Sequence, residues 1–424
     1  MRRYWATSIH RIALLACSGL SACGSDSGAP VADAAIFEVA PGTLPTDSSE
    51  DGAGGAPRGI VVVNSNDFDT TSISFLDRDG NLVINGCFST PRLSYDVVLP
   101  TQVTPGGPVV LIDRGMGYNA LTWLDPTNCT PLRQLAVGTG FDSDPHDVVV
   151  LSASKAYVTR YAENGTATPT LDDFDDGDDV LIIDPTQPKI LGRIDLKPFS
   201  PVGVLPRADR ALLAEGKVFV SLNAISLDYK TYGTGRIVMV DPVTDQVVGT
   251  IDLPGAKNCG AMTYLATERK LMVACGGAYS DGPQQADSSA IVVIDLGVSP
   301  PTVIAQMAAA AAGGLSLTNA TVAALDGTAL GVTNGSVGNV PPDRLWSLPI
   351  NGSAPIQVFE STESFALGAV LADPEGKRIL ITDGTTNTPA FIRVFDYSAS
   401  TFTAGKTIDS NPTQKLPPRA LAWY

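Results

Sequence analysis

Five polar residues lie at or near the start of apolar segments and have side chains suited to binding or catalysis. His146, Arg207 and Arg419 each follow a proline, and Asn258 and Asn319 occur near the same place in two other segments. An imidazole can act as a general base, and guanidinium groups hold carboxylates and other small anions. We therefore predict a ligand site from these five residues. The simpler alternative is that the prolines start strands and the side chains pair with neighbouring aspartates.

Other chemistries find little support in the residue types. His146 is the only histidine beyond residue 22, so a site with two or three histidine ligands to a transition metal is excluded. No Gly-x-Ser-x-Gly segment follows a strand, and no glycine-rich phosphate loop opens a helix. We expect no cofactor, with calcium as the one possible exception.

The calcium hypothesis comes from an acidic segment, 171–179, that contains six aspartates. Asp173, Asp175 and Asp178 alternate in a way that can place their oxygens around one Ca²⁺. The segment lacks the glutamate that completes a twelve-residue calcium loop. The alternative is a solvated acidic loop without a metal.

A second set of aspartates recurs at the ends of apolar strands, and we interpret these residues as structural. They precede proline or another turn residue, where an aspartate side chain bonds its own turn backbone. The set consists of Asp77, Asp125, Asp184, Asp241, Asp295 and Asp396.

Four cysteines lie beyond residue 23, an even number that favours disulfides in an exported protein and allows three pairings. Cys259 and Cys275 flank a predicted hairpin, so we favour their pairing, and Cys87 with Cys129 follows by elimination. Four buried thiols are the alternative.

These residues must be positioned by a repeat. The segment Lys217–Leu253 reads as three strands, and its second half is echoed without a gap by Val180–Leu196. The strand that ends in aspartate occurs six times, and a degenerate seventh copy lies at Leu345–Leu348. Each copy follows a second apolar strand, and six of these follow another. The first copy lacks that additional strand, and Pro417–Tyr424 is left over, so the C-terminal strand is predicted to close a ring.

The composition agrees with an all-β repeat. A chain of 424 residues exceeds what one ordinary core supports, and it has 41 glycines and 31 prolines but no long amphipathic helical pattern.

The repeats resemble the YVTN-type seven-bladed β-propellers. Ala156–Thr159 matches three letters of the family motif, Val332–Asn334 matches another three, and 179–194 and 236–251 resemble the segment that follows it. The resemblance covers 59–424 and implies four-stranded antiparallel blades around a central channel. It does not imply one chemistry.

The long connections are predicted to lie on one face of this disc. They follow the second strand of their copies, at 161–178, 222–235 and 275–289. In an up-and-down blade these connections share a face with the linkers between blades, and elaborated loops on a rigid scaffold commonly carry function.

The N-terminal residues are predicted to be a lipoprotein signal peptide, 1–22. Arg2, Arg3 and Arg11 precede a short apolar stretch, and Leu20–Cys23 resembles the bacterial lipobox, with Cys23 as the lipidated residue. Residues 23–58 would then be the lipid anchor and a flexible tether, and 59–424 the propeller.

The net charge of −16 argues against nucleic acid as a partner. We predict a monomeric lipoprotein of the bacterial cell envelope, at the outer membrane or cell surface, that binds a protein or glycan partner through its long-loop face. The alternative function is an enzyme, such as a lactonase or another hydrolase, that acts on a small anionic substrate at the channel mouth, with His146, Arg207 and Arg419 as catalytic residues.

Overall fold

Seven four-stranded sheets form the structure and are arranged as a seven-bladed β-propeller. The computed structural model describes residues 57–66, 69–90, 92–104, 106–115, 117–165, 175–334, 341–386, 388–398 and 400–424. Cys23 and the predicted signal peptide lie outside the described residues.

The strands, in chain order, are β1 (Gly59–Ser65), β2 (Thr71–Asp77), β3 (Leu82–Ser89), β4 (Val97–Val98), β5 (Val109–Asp113), β6 (Ala120–Leu124), β7 (Pro131–Ala136), β8 (Pro145–Ser152), β9 (Lys155–Arg160), β10 (Asp179–Asp184), β11 (Lys189–Asp195), β12 (Ala208–Ala214), β13 (Lys217–Leu222), β14 (Gly235–Asp241), β15 (Gln246–Leu253), β16 (Cys259–Leu265), β17 (Lys270–Gly276), β18 (Ser289–Asp295), β19 (Thr302–Ala308), β20 (Ala323–Leu325), β21 (Thr328–Thr333), β22 (Arg344–Pro349), β23 (Ile356–Glu360), β24 (Leu367–Asp373), β25 (Arg378–Asp383), β26 (Phe391–Ser398), β27 (Thr401–Ile408) and β28 (Pro418–Trp423). Three short 3₁₀ helices span Lys197–Phe199, Tyr279–Ser288 and Ala309–Ala312.

Each blade is an antiparallel sheet whose first strand lies at the centre of the disc. Blade 1 has the order β28-β1-β2-β3, and blades 2 to 7 consist of β4–β7, β8–β11, β12–β15, β16–β19, β20–β23 and β24–β27. The first strands β8, β12, β16, β20, β24 and β28 contact one another in this order. The fourth strands lie at the rim with every second side chain toward solvent, as in β15 and β19.

The C-terminal strand closes the ring, as the sequence predicts. β28 pairs antiparallel with β1, and the backbone N–H of Tyr424 donates to the carbonyl of Gly59 at 3.0 Å. The indole of Trp423 donates to the carbonyl of Ala372 in blade 7 at 2.9 Å. One strand therefore completes blade 1 and also contacts its neighbour.

Hydrophobic cores lie between the blades, where adjacent sheets pack face to face. Seven clusters among the described residues correspond to the seven pairs of neighbouring blades. The second and third strands supply most of the fully buried side chains, because both of their faces are covered. The apolar runs in the sequence mark these two strands for that reason.

Two first strands are shorter than the sequence predicts. The segment 95–99 forms only β4, and 320–323 contributes only its last residue to β20. In the second case the chain bonds to other blades before β20 begins: the backbone carbonyl of Asn319 accepts the N–H of Ala261, and the side-chain hydroxyl of Thr321 accepts the N–H of Val370.

The structure contains both favoured disulfides. Cys259–Cys275 joins β16 to β17 within blade 5. Cys87–Cys129 joins β3 of blade 1 to the β6–β7 turn of blade 2. Disulfides are typical of proteins outside the reducing cytoplasm. Within the described ranges, no helix is long and apolar enough to cross a membrane.

Candidate functional site

The first strands enclose a central cavity of about 1280 Å³. Arg207 and Arg419 line it, together with Arg114, Arg210 and Asp144. His146, Asn258 and Asn319 do not line it in the described part of the chain. Two of the five predicted ligand residues therefore line the cavity, and the other three do not.

His146 and Arg207 each follow a proline, but their positions in the two blades differ by two residues. Pro145 pairs with Arg160 at the end of β9, and its counterpart opposite the end of β13 is Ala208, which pairs with Leu222. Arg207 therefore precedes its strand by one residue.

Arg419 does occupy the place of His146, because Pro418 pairs with Asn64 at the equivalent position of β1. In blade 4 the equivalent of His146 is Asp209. This two-residue difference decides which groups meet. The residue before the first strand has a left-handed backbone in blades 3, 4 and 5, at Asp144, Arg207 and Asn258 (φ 48°, 53° and 55°).

His146 is held between two carboxylates. Its Nδ1 lies 2.7 Å from Oδ1 of Asp209, and its Nε2 lies 3.4 Å from Oδ2 of Asp144. Asp209 also accepts a hydrogen bond from Nδ2 of Asn223 at 3.0 Å, and Nη1 of Arg210 donates to the carbonyl of His146 at 3.0 Å. The network joins blades 3 and 4.

The electrostatics of this network favour a charged imidazole. Burial opposes protonation of His146, but the carboxylates of Asp144 and Asp209 outweigh it, so the pKa of His146 is raised. Burial likewise opposes ionisation of Asp209, yet His146 and Arg210 lower its pKa to about 2. Because both ring nitrogens face carboxylates, the imidazole has no free lone pair toward the channel. This geometry does not support a general-base role for His146.

A stack of planar groups extends from His146 to the channel. The imidazole is stacked on Tyr161 with ring centroids 4.4 Å apart and planes at 10°. The guanidinium of Arg207 lies between two phenol rings, 5.3 Å from Tyr161 and 4.9 Å from Tyr229. Burial raises the pKa of both tyrosines, so the phenols stay neutral. The two predicted residues His146 and Arg207 are thus connected through Tyr161.

The remaining predicted residues form separate groups. Nδ2 of Asn319 donates to Oδ1 of Asn258 at 3.1 Å, which links the starts of blades 5 and 6. Arg419 donates to the backbone carbonyls of Ser65 and Gly384, each at 3.3 Å. The five predicted ligand residues therefore form three separate groups. These are His146 and Arg207, which are connected through Tyr161, the pair Asn258 and Asn319, and Arg419 in blade 1.

In the described part of the acidic segment, 175–179, aspartates bond buried and surface cations. Arg160 has no exposed side-chain surface, and its guanidinium bonds Asp179 and Asp175, with distances of 2.6 Å from Nη2 to each. Asp178 accepts the backbone N–H of Arg207 at 3.1 Å. Two of the candidate calcium ligands, Asp175 and Asp178, thus bond protein groups, and each bonds a different one.

Asp173, the third candidate calcium ligand, lies outside the described residues. Among the residues that the structure describes, no group of three or more His, Cys, Asp or Glu side chains is placed to hold a metal ion. The calcium site stays a prediction.

The long connections of blades 4 and 5 pack on each other and on the linker before blade 4. We call this assembly, 196–207, 222–235 and 275–289, the loop cap. The N–H of Leu205 donates to the carbonyl of Ile225 at 3.2 Å, and Ile225 forms a β-bridge with Tyr232. Ile225, Tyr232 and Ala278 are buried as a small separate core, and Tyr229 packs against it.

Several residues at the channel mouth could not be predicted from the spacing of residues in the sequence. Asp209 becomes the partner of His146 only through the register of β12, and Tyr161 and Tyr229 meet Arg207 from two different loops. Asp144 lies two residues before His146, so the sequence alone indicates that the two side chains can be close.

Comparisons with known proteins identify the architecture. No protein-family model and no curated protein matches the chain. Among solved structures, two proteins described as "putative 6-phosphogluconolactonase" are similar. The one from Bacteroides fragilis has 11% identity and a TM-score of 0.56, over 89% of this chain and 100% of that one. The one from Bacteroides uniformis has 9% identity and a TM-score of 0.55, over 87% and 100%.

A functionally unknown protein from Desulfotomaculum acetoxidans has 12% identity and a TM-score of 0.51, over 86% of this chain and 98% of that one. At these identities the similarity shows the propeller fold alone.

Proposed function

We propose that the protein is an exported, lipid-anchored propeller that binds a protein or glycan partner through its long-loop face. The observation that carries this proposal is the loop cap. Its connections have a small core of their own, so they form a fixed surface on the disc, and Val202 and Leu227 project from it exposed to solvent. Loops that a rigid scaffold holds in place commonly carry binding function.

Export is supported by the two disulfides and by the sequence features of residues 1–22. The lipobox-like segment at Leu20–Cys23 supports the anchor, and the tether would hold the disc away from the membrane. The repeated sequence segments support assignment of the chain to the YVTN-type propellers within the seven-bladed fold.

The enzymatic alternative ranks below binding. His146 is the only histidine in the folded domain, and its ring nitrogens face Asp209 and Asp144. A hydrolase at this mouth would need a different base. The phosphogluconolactonase descriptions belong to the similar structures, and those structures share only the fold with this chain.

The partner-binding proposal is tested with two matched valines. Val202 lies on the loop cap, and Val243 lies in the β14–β15 turn on the opposite face; both are exposed. The full chain would be used to capture partners from envelope extract, and captured proteins and glycans would be identified and titrated back. Val202→Asp should weaken binding of the identified partner by about tenfold or more, and Val243→Asp should leave it within twofold. Equal effects of both substitutions, or capture of nothing reproducible, would reject the proposal.

A further inference from the structure

Arg207 is a buried cation without an ion pair. Its side chain is nearly fully buried, with 3% of the residue exposed, yet it makes no ion pair with any carboxylate of the described residues. Nη1 donates to the carbonyl of Tyr161 at 3.3 Å, and Nε has no hydrogen-bond partner there. The other arginines nearby are paired: Arg114 with Asp96 at 3.1 Å and Arg210 with Asp209 at 3.5 Å.

Such a charge is costly unless something compensates it. The carboxylate of Asp178 accepts the backbone N–H of Arg207 but forms no ion pair with the guanidinium, and its own Oδ2 has no hydrogen-bond partner among the described groups. The two tyrosine rings supply part of the compensation, and they also fix the plane of the guanidinium. A planar, preoriented guanidinium at a cavity wall is well suited to a carboxylate.

The neighbouring surface indicates the rest of the ligand. Leu227 and Tyr229 line the same cavity as Arg207, and Leu227 is 60% exposed. Asp144 and Glu163 also line it, so a singly charged anion is favoured over a doubly charged phosphate. The arrangement fits an apolar body next to one carboxylate.

We propose that Arg207 anchors the carboxylate of a small apolar acid at the long-loop mouth of the channel, with Leu227 and Tyr229 against its apolar part. A free organic acid and the C-terminal carboxylate of a polypeptide share this chemistry. The site goes beyond the partner-binding surface and does not depend on it.

Calorimetric titration of the full chain with N-acetyl-leucine, N-acetyl-leucinamide, hexanoate and inorganic phosphate tests the proposal. The acids should bind, and the neutral amide should bind about tenfold more weakly or not at all. Arg207→Gln should weaken acid binding by about tenfold or more. Arg133→Gln, which alters a buried arginine that lies over the ring of Trp123 and does not line the cavity, is the matched control and should change it less than twofold.

A second variant keeps the test decisive if Arg207→Gln does not fold. Leu227→Asp changes an exposed residue and should repel the carboxylate, while Val202→Asp should leave acid binding intact even where it removes the partner. Binding of N-acetyl-leucine alone would identify a polypeptide terminus, and binding of both acids a free acid. The proposal is overturned if neither acid binds, if inorganic phosphate binds more tightly, or if Arg207→Gln and Leu227→Asp bind like the parent.

Discussion

At the scale of single residues, the channel mouth depends on charges that are buried and paired across blades. His146 bridges Asp144 of its own blade and Asp209 of the next, and Arg210 bonds the carbonyl of His146. Buried pairs of this kind hold a geometry because removing one partner leaves the other charge unpaired. We therefore interpret His146 as a residue that fixes blade 4 against blade 3, with Tyr161 placed on its face for Arg207.

The first prediction concerns His146→Gln and pH. The pKa of His146 is raised in the folded state, so its contribution to stability is present below its unfolded value near 6.5 and is lost as the pH rises through the folded pKa. The variant should be less stable by about 3 kcal/mol at pH 5.5, and the difference should shrink at alkaline pH. Denaturant unfolding from pH 5.5 to 9 measures this.

The groups that face the imidazole are Asp144, Asp209 and Arg114. The pKa of Asp209 is about 2, so its titration changes the stability only below pH 4, outside the range from pH 5.5 to 9. Lys230→Gln removes only an exposed ion pair with Asp228 and serves as the control. A constant difference between parent and His146→Gln across the pH range would contradict the interpretation.

At the scale of elements, each blade is an ordinary antiparallel sheet, and the contacts between blades distinguish this protein. Buried aspartates connect successive blades: Asp147 accepts the N–H groups of Thr101 and Ala211, and Asp343 accepts those of Phe365, Ala366 and Leu367. These carboxylates fix the starts of first strands, where the backbone leaves the regular ladder. The Cys87–Cys129 disulfide links two blades by a covalent bond.

The second prediction compares the two disulfides. They close loops with sequence separations of 42 and 16 residues. Chain entropy then assigns about 4 kcal/mol to Cys87–Cys129 and about 3 kcal/mol to Cys259–Cys275. The Cys87→Ala/Cys129→Ala and Cys259→Ala/Cys275→Ala variants should lose roughly these amounts of unfolding free energy.

Reduction of the parent provides the reference, because it removes both bonds. Each double variant should respond to reductant only through the bond that it retains, and non-reducing mass analysis reports how many bonds are present. If reductant leaves the stability of the parent unchanged, the disulfides do not support the blades in this way.

At the scale of the whole molecule, ring closure depends on eight C-terminal residues. Leu421 belongs to the core between blades 7 and 1, and Ala422 and Tyr424 belong to the core between blades 1 and 2. Tyr424 also meets Phe75 edge to face at 5.0 Å. β28 therefore covers the edge of β1 and contributes to two interfaces.

The third prediction is that deletion of 417–424 opens the ring. It exposes the edge of β1 and two apolar surfaces, so the melting temperature should fall by at least about 5 °C and the protein should aggregate on concentration. Differential scanning calorimetry and light scattering measure both effects. Deletion of 24–56, within the predicted tether, is the control and should leave the transition unchanged. A truncated protein that melts like the parent would refute strand-mediated closure.

The sequence favoured the pairing of the cysteines, and it determined by itself the number of blades and the strand that closes the ring. These features follow from local periodicity: apolar runs mark the buried second and third strands, and a recurring Asp marks the turn between the third and fourth. Such signals survive because each copy packs in the same way against the next.

Only the tertiary structure decided which side chains meet at the channel mouth. The first strand of blade 4 begins two residues after Pro206, so Asp209 faces His146 and Arg207 lies between Tyr161 and Tyr229. A two-residue offset keeps the alternation of side chains along the strand, but it puts Asp209 instead of Arg207 at the position equivalent to His146. The sequence did not predict the loop cap either, because its core joins residues from separate connections that have no common period.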